Sequence, residues 1–170
     1  QSTDQFTLLQ GGGFNAAMLS FLEVDSHGNV NVSHLPGRTH VTAGVGGFAD
    51  ITSSAPLIIF SGYFTAGKKI IEISGTGLNI KSDGSIAKFV PEVSQITFSG
   101  QRALANGQKV YYITERCVIE LRMEGLTVVE IAPGVDLQKD ILDRAGFLLK
   151  VSDTLRRTNS SIFDFPEVLV

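Results

Sequence analysis

The chain has 170 residues, 43% hydrophobic and 18% charged, with a formal net charge of −3. Such a length and composition describe one globular domain with a single core and exclude a wholly disordered chain. Lys and Arg are scattered, apart from the pairs Lys68-Lys69 and Arg156-Arg157, which excludes the basic face of a nucleic-acid binder.

Taken in chain order, Gln1-Ser-Thr-Asp-Gln5 lacks an initiator Met and has neither the basic region nor the apolar core of a signal peptide. A fragment of a longer protein is therefore expected. Residues 18–24 and 29–33 flank the turn former Asp25-Ser-His-Gly28 and predict a hairpin. In Gly44-Val-Gly-Gly-Phe-Ala-Asp-Ile51 three glycines precede a short helix over 48–54. The longest apolar run, 55–60, is far too short to cross a bilayer. Residues 57–64 read as a strand covered on both faces. Strands over 70–73 and 78–81 surround Ser74-Gly-Thr-Gly77, followed by a turn at Ser82-Asp-Gly84. A further strand is expected from near Glu92 to Phe98, then a helical turn over 101–105. Residues 109–121 and 126–131 flank Arg122-Met-Glu-Gly125 as a second hairpin. Residues 137–145 predict a helix, with Asp136 as cap, Asp140 in the first turn and Gly146 as stop. The chain after Ser152 is polar and ends in an apolar segment, Ile162 to Val170, that reads as a docking tail. The expected fold is α/β: an open, strand-rich sheet flanked by helices, with a domain over 1–152 and a tail over 153–170.

The glycine run carries the chemistry. Gly44, Gly46 and Gly47 lack Cβ, so the backbone can adopt φ > 0 and press N–H groups against an oxyanion or a polarised carbonyl. A turn that uses glycine for geometry alone explains the run equally well. His27, His34 and His40 stand seven and six residues apart, a spacing that fits no common metal-ligand pattern, and no metal site is expected. The Gly-x-Ser-x-Gly elbow, the dinucleotide-binding glycine pattern after Gly11-Gly-Gly13 and the Walker loop are all absent. Glu115 and Arg116 lie in a strand-like run opposite Glu130. Strand alternation then forbids both from facing the core, and a surface cross-strand ion pair is expected. Cys117, the single cysteine, reads as a small buried hydrophobe, and a reducing, cytoplasmic setting follows.

Seven segments together resemble the C-terminal half of family I CoA-transferases. They are Gln5-Phe-Thr-Leu-Leu-Gln-Gly-Gly-Gly-Phe14, Phe21-Leu-Glu-Val-Asp-Ser-His-Gly-Asn-Val30, Gly46-Gly-Phe-Ala-Asp-Ile51, Phe60-Ser-Gly-Tyr-Phe-Thr-Ala-Gly67, Ile96-Thr-Phe-Ser-Gly100, Tyr112-Ile-Thr-Glu-Arg116 and Glu130-Ile-Ala-Pro-Gly-Val-Asp136. Order and spacing fit from residue 5 to about residue 149. The single-chain acetate and propionate branch is the nearest in pattern.

The resemblance implies the fold shared by ribose-5-phosphate isomerase, glucosamine-phosphate deaminase and CoA-transferases. It also implies ping-pong transfer of CoA from a short-chain acyl-CoA to a carboxylic acid through a glutamyl-CoA thioester. Gly44, Gly46 and Gly47 match the loop that faces the reacting carbonyl, and Gly11, Gly12, Gly13 and Asn15 are expected to line the site. The family's nucleophilic glutamate lies upstream of residue 5, so this chain holds no catalytic nucleophile and should be inactive alone. No tightly bound cofactor is implied; the CoA thioester is substrate. Implied partners are the N-terminal CoA-transferase half and further copies in a homo-oligomer, with no nucleic acid and no membrane. Asn15 replaces a common Asp, Lys68-Lys69 replaces small residues, and Cys117 replaces a common Ala. An acyl-CoA hydrolase on the same scaffold and a non-catalytic interaction domain remain the alternatives.

Overall fold

A computed structural model describes residues 11, 13–35, 37, 45–75 and 77–163 of the chain. Its centre is a mixed six-stranded sheet in the order β1 (Ala17–Ser20), β4 (Leu57–Ser61), β9 (Lys109–Ile113), β10 (Cys117–Arg122), β11 (Gly125–Ile131) and β12 (Lys150–Arg157). Strands β1, β4 and β9 run parallel; β9, β10 and β11 alternate in direction; β12 is parallel to β11. Three two-stranded ribbons pair β2 (Glu23–Val24) with β3 (Val30–Asn31), β5 (Thr65–Ala66) with β8 (Ile86–Ala87), and β6 (Ile70–Ser74) with β7 (Gly77–Ser82).

Alternation along the parallel strands decides which face is core. Ile58 and Phe60 of β4 are fully buried while Leu57, Ile59 and Ser61 are half-buried, so the two faces are not covered equally. Phe60 stands opposite Leu19 on one side and Tyr112 on the other. The Phe60 ring lies 5.5 Å from that of Tyr112, 5.0 Å from Phe98 and 6.2 Å from Phe48 between centroids. Contacts of this kind add roughly 0.5–1.5 kcal/mol per pair beyond area burial. Phe48 opens α1 (Phe48–Ser54), and a second short helix, α2 (Gly100–Ala105), is capped by the Ser99 hydroxyl, which accepts from the Arg102 amide.

Several sequence expectations change. Residues 109–121 are not one strand: the chain turns at Thr114–Arg116, where the Thr114 amide donates to the Cys117 carbonyl, and β9 and β10 become antiparallel neighbours. Residues 92–98 form no strand. The segment makes only one backbone bridge, Phe98 with Val30, and beside it the Thr97 hydroxyl donates to the Val30 carbonyl and accepts from the Val32 amide. The helix expected over 137–145 closes only over α3 (Leu137–Asp140); Asp136 caps it by accepting from Lys139. Ile141, wholly buried, leaves helical geometry at φ −122° and ψ −65°, and a 3-10 turn follows at Leu142–Arg144. The boundary expected at residue 152 falls inside β12. The end of the docking tail, residues 164–170, lies outside the described residues. Among the described residues no helix is long and apolar enough to cross a membrane.

Candidate functional site

The direction of α1 locates the glycine turn. Its first residue, Phe48, packs on Phe60 near the carboxyl end of β4. Its far end is held at the opposite edge of the sheet: Gln108, just before β9, donates to the Thr52 and Ala55 carbonyls at 2.8 and 2.7 Å. The helix therefore runs antiparallel to β4, and residues 45–47 lie at the carboxyl edge of the parallel strands. Ligands of open α/β sheets bind outside that edge. Gly46 has φ +47°, a left-handed conformation, and a Cβ built there would meet nothing within 4 Å. Gly47 precedes the helix without any side-chain cap, and the Phe48 amide closes the turn on the Val45 carbonyl at 2.9 Å. Gly44 lies outside the described residues.

Gly11, Gly13 and Asn15 are exposed and precede Ala17, the first residue of β1. They sit at the amino edge of the sheet, opposite the Gly46–Gly47 turn, and the structure does not bring the two groups together. Gly12 lies outside the described residues.

The carboxyl edge also holds a buried charge cluster. Arg116 is completely buried, and its guanidinium makes two 2.9 Å bonds to Asp83 and one of 2.8 Å to Glu115, and donates to the Asp140 carbonyl at 2.9 Å. Glu115 uses its second oxygen to accept from the Phe64 amide at 2.8 Å. The surface ion pair expected from strand alternation is thus wrong. Thr114, Glu115 and Arg116 form the turn between two strands, where alternation has no hold, and both charged side chains point inward. Glu130 is engaged elsewhere, with Arg156 at 3.6 Å and the Thr158 hydroxyl at 2.7 Å. Burial alone would raise the Asp83 carboxyl, but hydrogen bonds from Arg116, Thr65 and the Gly84 amide hold it down at about 2. The same pairing outweighs desolvation and keeps Arg116 above its ordinary range.

Lys88 stands beside this cluster. Its ammonium lies 3.9 Å from the centroid of the Phe21 ring. Burial pushes it down to about 8, with Glu115 opposing the shift and Lys69 adding to it. Lys69 in turn caps the Tyr63 ring at 4.3 Å. Cys117 is buried, and its thiol is pushed up to about 12, which removes it as a nucleophile at neutral pH. No cluster of three metal-ligating side chains occurs among the described residues; His40 lies outside them. Sequence reasoning missed Lys88 and the Asp83–Arg116 pair. The polar Thr-Glu-Arg break inside an apolar run was the one local sign of the latter, and a lone Lys after Ile-Ala gives no sign at all.

No family model matches the chain. It is 47% identical over 161 residues to acetate CoA-transferase YdiF of Escherichia coli K12, covering 95% of this chain and 30% of that protein. It is 46% identical over 160 residues to caffeate CoA-transferase of Acetobacterium woodii, covering 93% of this chain and 30% of that one. The chain thus spans less than a third of the length of the curated relatives it matches. The crystal structure of YdiF from E. coli O157:H7 superimposes with a TM-score of 0.89 over 95% of this chain and 31% of that one, and a thioester complex of that protein with CoA matches equally well. Glutaconate CoA-transferase from Acidaminococcus fermentans, at 14% identity and a TM-score of 0.62 over 85% of this chain and 53% of that one, shares the fold. The α/β fold expected from the sequence is that of these enzymes, and nearly the whole chain is similar to a stretch of these CoA-transferases.

Proposed function

We propose that this chain is the β-subunit-like part of a CoA-transferase that moves CoA from a short-chain acyl-CoA to a carboxylic acid. The observation that carries this reading is the 47% identity to an acetate CoA-transferase across nearly the whole chain. A glutamate outside residues 1–170 attacks the acyl-CoA carbonyl, giving an acyl-glutamyl anhydride and CoA thiolate. The thiolate then attacks the glutamyl carbonyl, releasing the first acid and leaving a glutamyl-CoA thioester. The incoming carboxylate reverses both steps and leaves as the new acyl-CoA.

Backbone N–H groups of Gly44, Gly46 and Gly47 stabilise the oxyanion formed in each attack, where a single donor contributes about 10²–10³ in rate. Gly11, Gly13 and Asn15, which precede β1, support that strand in this scheme rather than touching the reacting atoms. Three glutamates that could be weighed for the role are already engaged. Glu23 accepts from Asn31 and Ser94, Glu115 from Phe64 and Arg116, and Glu130 from Thr158. That favours a nucleophile supplied by the N-terminal half, whether in the same polypeptide or a separate subunit, in a cytoplasmic oligomer with no tightly bound cofactor.

The test uses the longer protein that contains this stretch. Incubated with acetyl-CoA it should gain a CoA adduct by mass spectrometry, and borohydride should trap the thioester by reduction. Release of free CoA without an acceptor acid would point to the hydrolase instead. Turnover by residues 1–170 alone, lost on replacing Glu23, Glu115 or Glu130, would overturn the assignment of the nucleophile.

A further inference from the structure

One cation at the carboxyl edge has no part in the scheme above. Phe21 directly follows β1, and Gly62 directly follows β4, with the Gly62 amide still bonded to the Ile113 carbonyl at 3.1 Å. The Lys88 ammonium rests over these two strand ends. A Cβ at Gly62 would stand 3.1 Å from Nζ and 3.2 Å from the Phe21 ring, so the missing side chain is what admits the amine. Gly62 follows Phe60 by two residues and shares its face, and Phe60 carries Phe48 at the start of α1. Same-face neighbours on a strand are about 7 Å apart. Lys88 and the Gly46–Gly47 turn therefore flank the same strand terminus on the same side of the sheet.

The two cations at this edge, one buried and one half-buried, are treated differently. Arg116 has its donors committed to Asp83, Glu115 and the Asp140 carbonyl. Lys88 Nζ donates to no acceptor among the described residues, yet every buried polar side-chain atom among them has a partner, so Nζ reaches solvent. Glu115, the carboxylate that faces it, already serves Phe64 and Arg116. Lys69 adds positive potential from the side of Tyr63. A part-desolvated ammonium with open donors and no counter-ion of its own is suited to an anion that comes and goes. The phosphates of CoA lie at the far end of its pantetheine arm from the sulfur, whereas the acid substrate brings its carboxylate to the reacting end.

We propose that the Lys88 ammonium binds the carboxylate of the acid substrate beside the Gly46–Gly47 turn, and so sets affinity for the acid rather than for the acyl-CoA. This rests on the CoA-transferase reading. In the full-length enzyme, Lys88→Met should raise KM for acetate roughly 10- to 100-fold, the range expected for loss of a charge-assisted hydrogen bond. KM for acetyl-CoA should change less than about twofold, and the borohydride-trapped adduct should still form. Lys88→Arg should recover most of the affinity for acetate. In the unaltered enzyme KM for acetate should rise as pH passes through about 8, where the amine loses its proton. An unchanged acetate KM in Lys88→Met, an equal rise for both substrates, or a flat pH profile between 7 and 9 would overturn the proposal. Absence of a CoA adduct in the unaltered enzyme would instead remove the CoA-transferase reading itself.

Discussion

Arg116 grips Asp83 with both terminal guanidinium nitrogens at 2.9 Å, although 33 residues separate the two in sequence. With side-chain exposures of 0% and 6% the pair is fully interior, and it ties the turn after β9 to the end of β7. Neutralising Asp83 leaves Arg116 with Glu115 as its counter-ion but weakens two charge-assisted hydrogen bonds, which costs about 1.5–3 kcal/mol. Asp83→Asn should therefore lower the unfolding free energy from denaturant titration by that amount, and a change within about 0.5 kcal/mol would show that the cluster relaxes around the loss.

The same carboxylate sets an acid limit. Its folded value of about 2 lies below its ordinary 3.8, so the stabilisation is present above about pH 4 and disappears as pH falls toward 2. Urea midpoints measured from pH 4.5 down to 2 should fall for the unaltered chain and flatten in Asp83→Asn over that window.

Lys88 has the opposite sign. Its folded value of about 8 is below the ordinary 10.5, so the unfolded chain holds the proton more tightly and stability rises between pH 8 and 10.5. Lys88→Met should be more stable than the unaltered chain at pH 7 and should lack that rise. A destabilised variant would mean that the cation is held favourably after all.

Gly62→Ala should leave the fold intact, because the nearest atoms to the added methyl are the tip of Lys88 at 3.1 Å and the Phe21 ring edge. The amine moves instead. KM for acetate should rise severalfold with little change in thermal midpoint, and an unchanged KM would separate Gly62 from the role of Lys88.

Gly46→Ala places a Cβ on a backbone at φ +47°, a strain of about 1–2 kcal/mol, with open space around it. Stability should fall by about that much. If the turn supplies the oxyanion donors, kcat of the full-length enzyme should fall at least tenfold with KM little changed; a loss of stability alone would leave the turn a purely structural element.

Features written in neighbouring residues were legible. The hairpin over β6 and β7, the hairpin over β10 and β11, α1, and the Asp136 cap all follow from turn formers and periodicity within a short window. What escaped depends on partners far away in sequence. Ile141 breaks its helix because the core takes its side chain completely. The segment ending at Phe98 is held to Val30 by a single backbone bridge and by the Thr97 hydroxyl, which bonds across 67 residues. Residues 153–157 read as part of a polar tail, since a strand whose side chains are largely solvated shows no apolar signature; the membership of β12 in the sheet lies in backbone bonds to β11. At the site, the glycine turn was visible as composition, while the cation beside it was not, because its setting comes from Phe21 and Gly62 at two separate strand ends.

That last strand also limits how copies of the protein can meet. Among the described residues β12 borders only β11, and its register jumps from Val128–Val151 to Glu130–Arg156. It sets Lys150, Asp153, Arg156 and Arg157 in exposed positions along its length. An irregular margin studded with charge is a poor template for another strand. Sheets from two molecules should thus not merge through it into a continuous ribbon.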